Sequence, residues 1–276
     1  MKRLAAAAYA PAFLLTFLGA GLAVPAPSWL LPLLVAAILT SLFAERLLPF
    51  EPDWNRSHGD VGRDLAHAVV NELSNFGAVL LLPLLASMMP ASGLWPDGWP
   101  RWAQLALAMI IADCGITLAH WASHRHAVLW RLHAVHHSVR RMYGFNGLMK
   151  HPLHQAIELF AGTTPLLFLG LPHDIAWLLA YAVAIQLLLQ HSNVDMRLGP
   201  LVYAWAVAPA HRFHHLASAT EGDVNFGLFT TLWDHLLGTF ALRAQPPRAG
   251  QLGIAGDEGY PQTYRAQLRA PFTTSP

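Results

Sequence analysis

This 276-residue sequence has a single cysteine and few charged residues. Cys114 is the only cysteine, so the chain forms no internal disulfide, and zinc or iron–sulfur sites built from cysteine are excluded. Charged residues make up 12% of the chain and its formal net charge is +1. No polyanionic partner is therefore indicated, and no basic, aromatic-rich patch supports binding to nucleic acid. Any metal that this chain holds must be bound by His, Asp or Glu.

Much of the sequence consists of long apolar runs. Hydrophobic residues make up 54% of the chain, and a helix needs roughly 20 of them in a row to cross a bilayer. The runs cover residues 4–24, 29–50, 65–89, 102–122, 152–170 and 174–190. We predict an all-α membrane protein with about four full spans followed by a helical pair over 152–190. The first run also resembles a secretory signal peptide, but the second run follows it at once, which favours a retained helical hairpin.

Lys and Arg are divided unequally among the loops. They are scarce in the linkers near 25–28, 91–101 and 170–174, and concentrated in segments 44–63 and 123–150. The positive-inside rule then places the N-terminus and both basic segments in the cytoplasm. We therefore expect an integral protein of the inner (cytoplasmic) membrane.

Histidine is the polar residue that this chain clusters most densely. The stretches "HAVHH" at 133–137 and "HRFHH" at 211–215 share the spacing H-x-x-H-H, and "HWASH" at 120–124 precedes both. Chance predicts roughly 0.05 H-x-x-H-H matches in a chain of this histidine content, counted against the template, and two are present. Positions i, i+3 and i+4 share one face of a helix, so each cluster is predicted to aim its imidazoles at one point. His191, after the sixth run, lies at the same predicted depth as these clusters.

The number of histidines discriminates between kinds of metal site. The nine candidate ligands are His120, His124, His133, His136, His137, His191, His211, His214 and His215. One zinc ion needs about three or four protein ligands, whereas two ions with about four or five ligands each would use all nine. Neutral imidazole suits zinc, copper, iron and nickel. The chain has neither the Glu-x-x-His of soluble di-iron bundles nor the His-Glu-x-x-His of metalloproteases. We predict a histidine-rich dinuclear site on the cytoplasmic side of the membrane.

Three further residues are weaker candidates for a place at this site. His151 lies just before the fifth run and is predicted as a possible ligand. Asp113 lies seven residues before His120 on the same helix face, so it either accepts a hydrogen bond from an imidazole or makes a contact between helices. Asn225 either hydrogen-bonds a ligand or caps an amphipathic interfacial helix predicted over 225–240. The isolated histidines are expected to be polar contacts or surface groups: His58, His67, His126, His173 and His235.

The three histidine motifs resemble those of the fatty acid hydroxylase/sterol desaturase superfamily of integral-membrane non-haem di-iron oxygenases. That family carries H-x-x-x-H, H-x-x-H-H and H-x-x-H-H in this order, as the present chain does over 120–124, 133–137 and 211–215. The stretches "QHSNVDMRLGPL" and "NFGLFTTLWDHLLGTF" also read like that family, so the resemblance covers roughly residues 105–242. One departure is "HPLHQ", in which His154 replaces the glutamate of the family's frequent H-P-x-E element.

The resemblance implies a function, cofactors and partners. Two iron ions would use O2 to hydroxylate or desaturate a sterol, fatty acyl or related lipid that enters from the bilayer. Electrons would come from an external donor such as a reductase, a ferredoxin or a cytochrome b5-like protein, because the chain has no G-x-G-x-x-G motif. Zinc can take the place of iron in a purified sample. The implied organisation is a transmembrane N-terminal part (1–100), a catalytic domain (101–242) and a tail (243–276).

Two other classes of function stay open. A membrane zinc-dependent hydrolase would need a site with about three or four ligands, and would leave about half of these histidines unused. A metal transporter or sensor would place its ligands near the bilayer midplane. The clusters instead fall at the ends of spans and in a charged loop, so the sequence favours the di-iron lipid oxygenase.

Overall fold

A computed structural model describes residues 1–88, 92–257 and 259–273 of the chain. The α-helices in these residues are α1 (Lys2–Ala23), α2 (Leu30–Leu47), α3 (Val61–Ser87), α4 (Arg101–Ser123), α5 (Ala127–His137), α6 (Pro152–Leu169), α7 (His173–Gln190), α8 (Ala208–His211), α9 (Ala219–Gly222), α10 (Leu232–Leu237) and α11 (Tyr264–Arg269). Short 3-10 turns cover Pro27–Trp29, Pro52–Asn55, Gly144–Leu148, Gly199–Tyr203 and Ala270–Phe272. The β-type pairings in these residues are three isolated bridges, so the predicted all-α class is confirmed.

Five helices are long and apolar enough to cross a membrane. They are α1, α2 with its preceding turn, α3, α4 and α7. The predicted multi-span helical fold is confirmed. Of the helical pair predicted over 152–190, α7 is long and apolar enough to cross a membrane, and α6 is not among the five. The predicted end of the third run at Met89 lies outside the described residues, as do positions 90–91 of the following turn and positions 258 and 274–276 of the tail.

Helix α7 is the central helix of the bundle. Of its residues, 72% are buried inside the protein, against 22% to 33% of the residues in the most apolar part of each of the other four spans. It packs against α1, α2, α3 and α4, and the Tyr181 hydroxyl donates a hydrogen bond to the carbonyl of Phe17 in α1 at 3.1 Å. Because protein rather than lipid surrounds α7, the position of its C-terminal end is fixed by the four helices around it.

Helices α4 and α6 pack closely because glycines face each other at their contact. A Cβ atom at Gly115 would overlap the carbonyl of Ala161, and one at Gly162 would lie 2.9 Å from Cγ1 of Ile116. The absence of these side chains lets the two backbones approach. The end of α4, which carries the first histidine motif, therefore lies beside the start of α6.

One end of the bundle gathers segments that are distant in sequence. Near the end of α2, the buried carboxylate of Glu45 accepts hydrogen bonds from the backbone N–H groups of Gly144, at 2.6 Å, and Asn193, at 3.1 Å. The segment after α5 and the segment after α7 are thereby tied to the end of α2. We call this end of the bundle the histidine end, because every histidine motif of the chain lies there.

Residues 225–231 do not form the amphipathic helix that the sequence predicts. Asn225 has a positive φ of 56°, and α10 covers only Leu232–Leu237. The carboxylate of Asp234 accepts hydrogen bonds from the N–H groups of residues 226 and 227. Asp113 in α4 accepts from those of residues 228, 229 and 230. Two buried carboxylates therefore satisfy the N–H groups of residues 226–230 without a helix.

The C-terminal part of the chain packs over the histidine end. Gln267 of α11 is fully buried, and its side chain hydrogen-bonds His67 of α3 at 2.9 Å and donates to Ser138 after α5 at 2.9 Å. The ring of Tyr264 meets the His67 ring edge-on. The predicted tail is thus an ordered cover over 243–257 and 259–273.

Candidate metal centre

The nine predicted ligands come together at the histidine end in two groups. The first group is His120, His124, His133, His137 and His214, and the second group is His136, His191, His211 and His215. Within each group, one ring nitrogen per residue lies within 4.8 Å of the others. All of these residues except His124 are buried. Each group can hold a metal ion.

Each H-x-x-H-H motif supplies both groups, which differs from the prediction that a cluster aims at a single point. His133 and His137 of α5 face the first group, whereas His136 between them faces the second. The later motif divides in the same way, with His214 in the first group and the other two in the second. Positions i and i+4 point in nearly the same direction from a helix, and position i+3 points to the other side of position i. This spacing lets one helical turn serve two adjacent sites.

The inward-facing atoms of both groups are Nε2 nitrogens. In the first group, Nε2 of His120 lies 2.8 Å from that of His214, and Nε2 of His137 lies 3.0 Å from that of His133. In the second group, Nε2 of His191 lies 3.1 Å from that of His136 and 3.2 Å from that of His215. The rings of His137 and His215 stack with their centroids 4.8 Å apart, so the two groups adjoin.

Six of the nine outward-facing Nδ1 nitrogens donate to acceptors around the site. Five of them donate to backbone carbonyls: His120 to Phe226 at 2.8 Å, His136 to Met149 at 2.8 Å, His214 to Val224 at 2.9 Å, His191 to Leu187 at 3.2 Å and His211 to Asn225 at 3.4 Å. The Nδ1 of His124 lies 2.8 Å from the carboxylate of Asp223. A carbonyl oxygen only accepts, so each of these Nδ1 atoms carries the proton, and Nε2 of the neutral ring carries a lone pair.

Lone pairs that face one another at this distance need a cation between them. His120 and His214 both donate through Nδ1, so no proton is left for the 2.8 Å contact between their Nε2 atoms. Burial, reinforced by neighbouring imidazoles, lowers the pKa of His136 and His214 well below the ordinary value, and burial lowers the pKa of His191 to about 3, so these rings are neutral at neutral pH. A set of neutral, inward-facing imidazoles fits a divalent metal of the zinc, copper, iron or nickel type. The arrangement can therefore hold metal ions.

His151 does not face this site. It is the N-cap of α6, where its Nδ1 accepts a hydrogen bond from the backbone N–H of Leu153 at 3.2 Å. Its Nε2 lies 3.3 Å from the carbonyl of Leu268 in the C-terminal cover. The prediction of His151 as a possible ligand is therefore not supported by its position, because the start of α6 turns the ring toward the cover.

Asp113 acts on the site through the backbone rather than through an imidazole. It is fully buried and accepts four hydrogen bonds from residues 228–230, at 2.7 to 3.0 Å. The anchored loop carries Phe226, whose carbonyl receives the Nδ1 proton of His120. Neither of the two alternatives predicted for Asp113 describes this role.

Asn225 also works through its backbone. Its carbonyl is the acceptor for His211, and its side chain donates to the carbonyls of Ala210 and Ala241 while accepting from the N–H of Ala241. It does not cap a helix, since none begins there. Its side chain instead joins three stretches of chain around the second H-x-x-H-H motif.

The isolated histidines make polar contacts or lie at the surface. The Nε2 atoms of His173 and His235 lie 3.0 Å and 2.9 Å from the carbonyls of Val79 and Tyr203. His67 bridges the carbonyl of Lys150 and the side chain of Gln267. His58 and His126 are exposed.

Three polar residues beside the site are not among the predicted ligands. His154 is fully buried, with its ring centroid 4.4 Å from that of His133 and its Nε2 3.0 Å from the hydroxyl of Ser123. Lys150 and Glu158 form a buried ion pair. A signal for Glu158 exists in the sequence, because it is the only acidic residue of the apolar run 152–170, and a lone ionisable group in such a run points to function.

An apolar cavity of about 280 Å³ leads to the histidines. It lies between α3, α4, α6 and α7, and it adjoins a smaller space of about 10 Å³ lined by histidines of both groups. Five residues line both spaces: Ile116, Lys150, Glu158, Leu187 and Leu228. The metal-binding site therefore has an apolar approach from within the membrane-spanning part of the bundle.

Comparison with known proteins identifies the family of the chain. The family model described as fatty acid hydroxylase matches residues 105–239. The chain is 34% identical over 238 residues to ornithine lipid hydroxylase OlsE from Rhizobium tropici, a match that covers 83% of this chain and 71% of that protein. It is 28% identical to alkylglycerol monooxygenase from Danio rerio, over 53% of this chain and 32% of that protein. It is 30% identical to Delta(7)-sterol 5(6)-desaturase from Candida glabrata, over 50% of this chain and 36% of that protein.

No solved structure matches the chain. The relatives named above are a hydroxylase, a monooxygenase and a desaturase, so the match indicates that the chain is an oxidoreductase. The five apolar helices agree with an integral membrane protein. The chain belongs to the fatty acid hydroxylase family.

Proposed function

We propose that the chain is a membrane-bound di-iron oxygenase that hydroxylates or desaturates a lipid with O2 and electrons from an external donor. The observation that carries this proposal is the pairing of bare Nε2 atoms in two adjoining histidine groups beside an apolar cavity. Five ligands in the first group and four in the second account for all nine histidines. A hydrolytic zinc site needs about three or four ligands, so this arrangement favours two metal ions over one.

The chemistry divides between the metal ions and the chain. When bound, two irons would supply the activation of O2: with two electrons from the external donor and two protons, one oxygen atom would enter the C–H bond as C–OH and the other would leave as water. The nine histidines would hold the irons, and in six of them the Nδ1 hydrogen bond keeps the Nε2 lone pair directed inward. The apolar walls of the cavity orient the lipid and keep water away from the reacting groups.

The histidine end is proposed to face the cytoplasm. The segment 123–150, which lies there, carries five Lys or Arg residues and no acidic residue, and the linkers at the opposite end are nearly free of basic residues. An electron donor would then reach the site from the cytoplasm, and the membrane would be the inner membrane. Reporter fusions to the N-terminus and to a site in the 91–101 turn should report opposite sides, and the reverse assignment would overturn this orientation.

Ornithine lipid hydroxylation is the first reaction to test. The relative with that name is the one of the three that the chain covers over most of its length, whereas the other two are matched over about a third of theirs. Lipids extracted from cells that express the chain should contain hydroxylated species that are absent from control cells. The added oxygen and its position are read by tandem mass spectrometry.

Metal analysis tests the di-iron centre directly. Protein purified anaerobically from iron-fed cells should contain about two irons per chain and show a coupled di-iron Mössbauer spectrum. His136→Ala removes an inward-facing ligand of the second group, and we expect loss of iron and activity while membrane insertion is kept. The matched control, His58→Ala, alters an exposed histidine and should be silent. A single zinc without iron, under iron feeding, would overturn the proposal.

A further inference from the structure

The apolar cavity ends in an ion pair at its histidine end. Lys150 and Glu158 are 7% and 5% exposed, and their charged groups contact each other. Both residues line the cavity and also the small space beside the histidines. They therefore lie where the apolar approach meets the metal-binding site.

The hydrogen-bonding capacity of this pair is only partly used. An ammonium group has three donors, and among the described residues Glu158 is the only acceptor that Lys150 Nζ reaches. The second carboxylate oxygen of Glu158 lies 3.8 Å from Nδ1 of His154, beyond hydrogen-bonding distance. That Nδ1 atom is buried and has no partner in the described part of the chain. Unused donors and an unused acceptor thus stand side by side.

The other polar groups of the cavity wall already have partners. Gln155 donates to the side chain of Asn75 at 2.8 Å, and the hydroxyl of Thr163 donates to the carbonyl of Leu159 at 2.7 Å. Most of the remaining wall is aliphatic and continues to Leu171, at the opposite end of α6. A ligand in this cavity therefore finds its polar partners at the ion pair and apolar contacts along the rest of its length.

We propose that the Lys150–Glu158 pair binds the amide linkage of a lipid substrate and so places the carbons next to that linkage before the metal centre. An amide presents one acceptor and one donor, which match Lys150 Nζ and the free oxygen of Glu158. The pair carries no net charge, so a neutral linkage leaves no uncompensated charge in the apolar cavity. This proposal rests on the proposed function, and Lys150 and Glu158 are positioning residues within it.

The position of oxidation follows from this placement. The linkage sits at the junction of the two spaces, and the acyl chain extends along the cavity toward Leu82 and Leu171, away from the histidines. The added hydroxyl is expected within a few carbons of the amide rather than in the middle of the acyl chain.

Two lipids that differ only in their linkage test the proposal. The purified, iron-loaded wild type is given O2, an electron-donating reductase system and either an N-acyl amino-acid lipid or the matching O-acyl ester, which lacks the amide N–H donor. We expect kcat/KM to favour the amide by about 10- to 100-fold, the range for one hydrogen bond to a charged group. The variant Lys150→Met with Glu158→Leu should bring this ratio close to one, while iron content and membrane insertion are retained, because apolar replacement of a buried pair is tolerated.

Two further variants separate substrate recognition from structural support. Lys150→Gln with Glu158→Gln keeps a donor and an acceptor, and should preserve most of the preference for the amide. Asp60→Leu with Arg141→Met removes a buried ion pair that does not line the cavity, and should leave the ratio unchanged. A wild type that oxidises the ester and the amide equally, or that places the hydroxyl far from the linkage, overturns this proposal alone. A wild type that loads two irons and oxidises no lipid overturns the proposed function.

Discussion

The loop over 226–230 depends on one carboxylate, and replacing it should weaken the metal centre without touching a ligand. In Asp113→Asn, the side chain keeps one acceptor oxygen and turns an amide N–H₂ toward backbone N–H donors. Of the four hydrogen bonds that Asp113 accepts from residues 228–230, about two are lost. At about 1.5–3 kcal/mol for each bond to a charged group, the expected loss is about 3–6 kcal/mol. This is a large fraction of the stability of a typical domain.

The consequence for the metal centre runs through the backbone. The loop supplies the carbonyl of Phe226 that holds the Nδ1 proton of His120. If the loop shifts, the His120 ring loses the partner that fixes its tautomer and orientation, and ligation by the first group weakens. We therefore expect Asp113→Asn to lower both the apparent unfolding temperature in detergent and the iron content per chain.

A graded comparison makes this prediction refutable. Thr230→Val removes one of the four hydrogen bonds, that of the hydroxyl, and preserves the shape of the side chain. Its unfolding temperature should lie between those of the wild type and Asp113→Asn, with iron content near that of the wild type. If Asp113→Asn unfolds at the wild-type temperature and holds the wild-type amount of iron, the loop does not support the site in the way described.

Two further predictions concern a ligand of the centre and a buried ion pair of the fold. A Cβ atom at Gly147 would lie 2.5 Å from Nδ1 of His191, so Gly147→Ala should displace that ligand and reduce the iron content. The control Gly62→Ala, whose Cβ would meet nothing within 4 Å, should leave the iron content unchanged. Equal iron content in both variants would contradict the close approach of Gly147 to His191. Burial alone would raise the pKa of Asp60, but the hydrogen bonds and charge of Arg141 outweigh burial, so the pKa is lowered. The pair therefore stabilises the fold fully above about pH 4, the pKa of Asp in the unfolded chain. This contribution is lost as pH falls through the lowered pKa of the folded state. Asp60→Asn should therefore lower the unfolding temperature at pH 7 and flatten its fall in acid, and an unchanged acid profile would show that Asp60 is not the group responsible.

The histidine positions were predictable because their signal is local. Spacings of three and four residues put side chains near one face of a turn, and the ends of apolar runs set a common depth, so the candidate ligands His120 and His191 could be placed near each other from sequence alone. The division of each H-x-x-H-H motif between two groups was not predictable, because it depends on how α5 and the turn after α8 are oriented toward each other.

The missed features depend on side-chain partners that hydropathy patterns and motif spacing do not reveal. The pattern of residues 225–240 is amphipathic, but Asp113, more than a hundred residues earlier, captures three of its N–H groups. The position of Glu158 beside the histidines was missed for a similar reason. The glutamate expected at position 154 is replaced by histidine, and a carboxylate stands one helical turn later, where it pairs with Lys150. The sequence shows that position 154 lacks a glutamate, but it does not show that Glu158, one turn later, pairs with Lys150.

The acceptors around the histidine rings have a consequence for how this sequence can change over evolution. Five of the nine rings are held by main-chain carbonyls, including those of Val224, Asn225 and Met149. Any amino acid supplies such a carbonyl, so selection on ring orientation acts on the path of the backbone and not on the identity of the residue that provides the oxygen. Homologues are thus expected to keep the histidines while the residues that orient them drift, and comparison of sequences alone would undercount the positions on which metal binding depends.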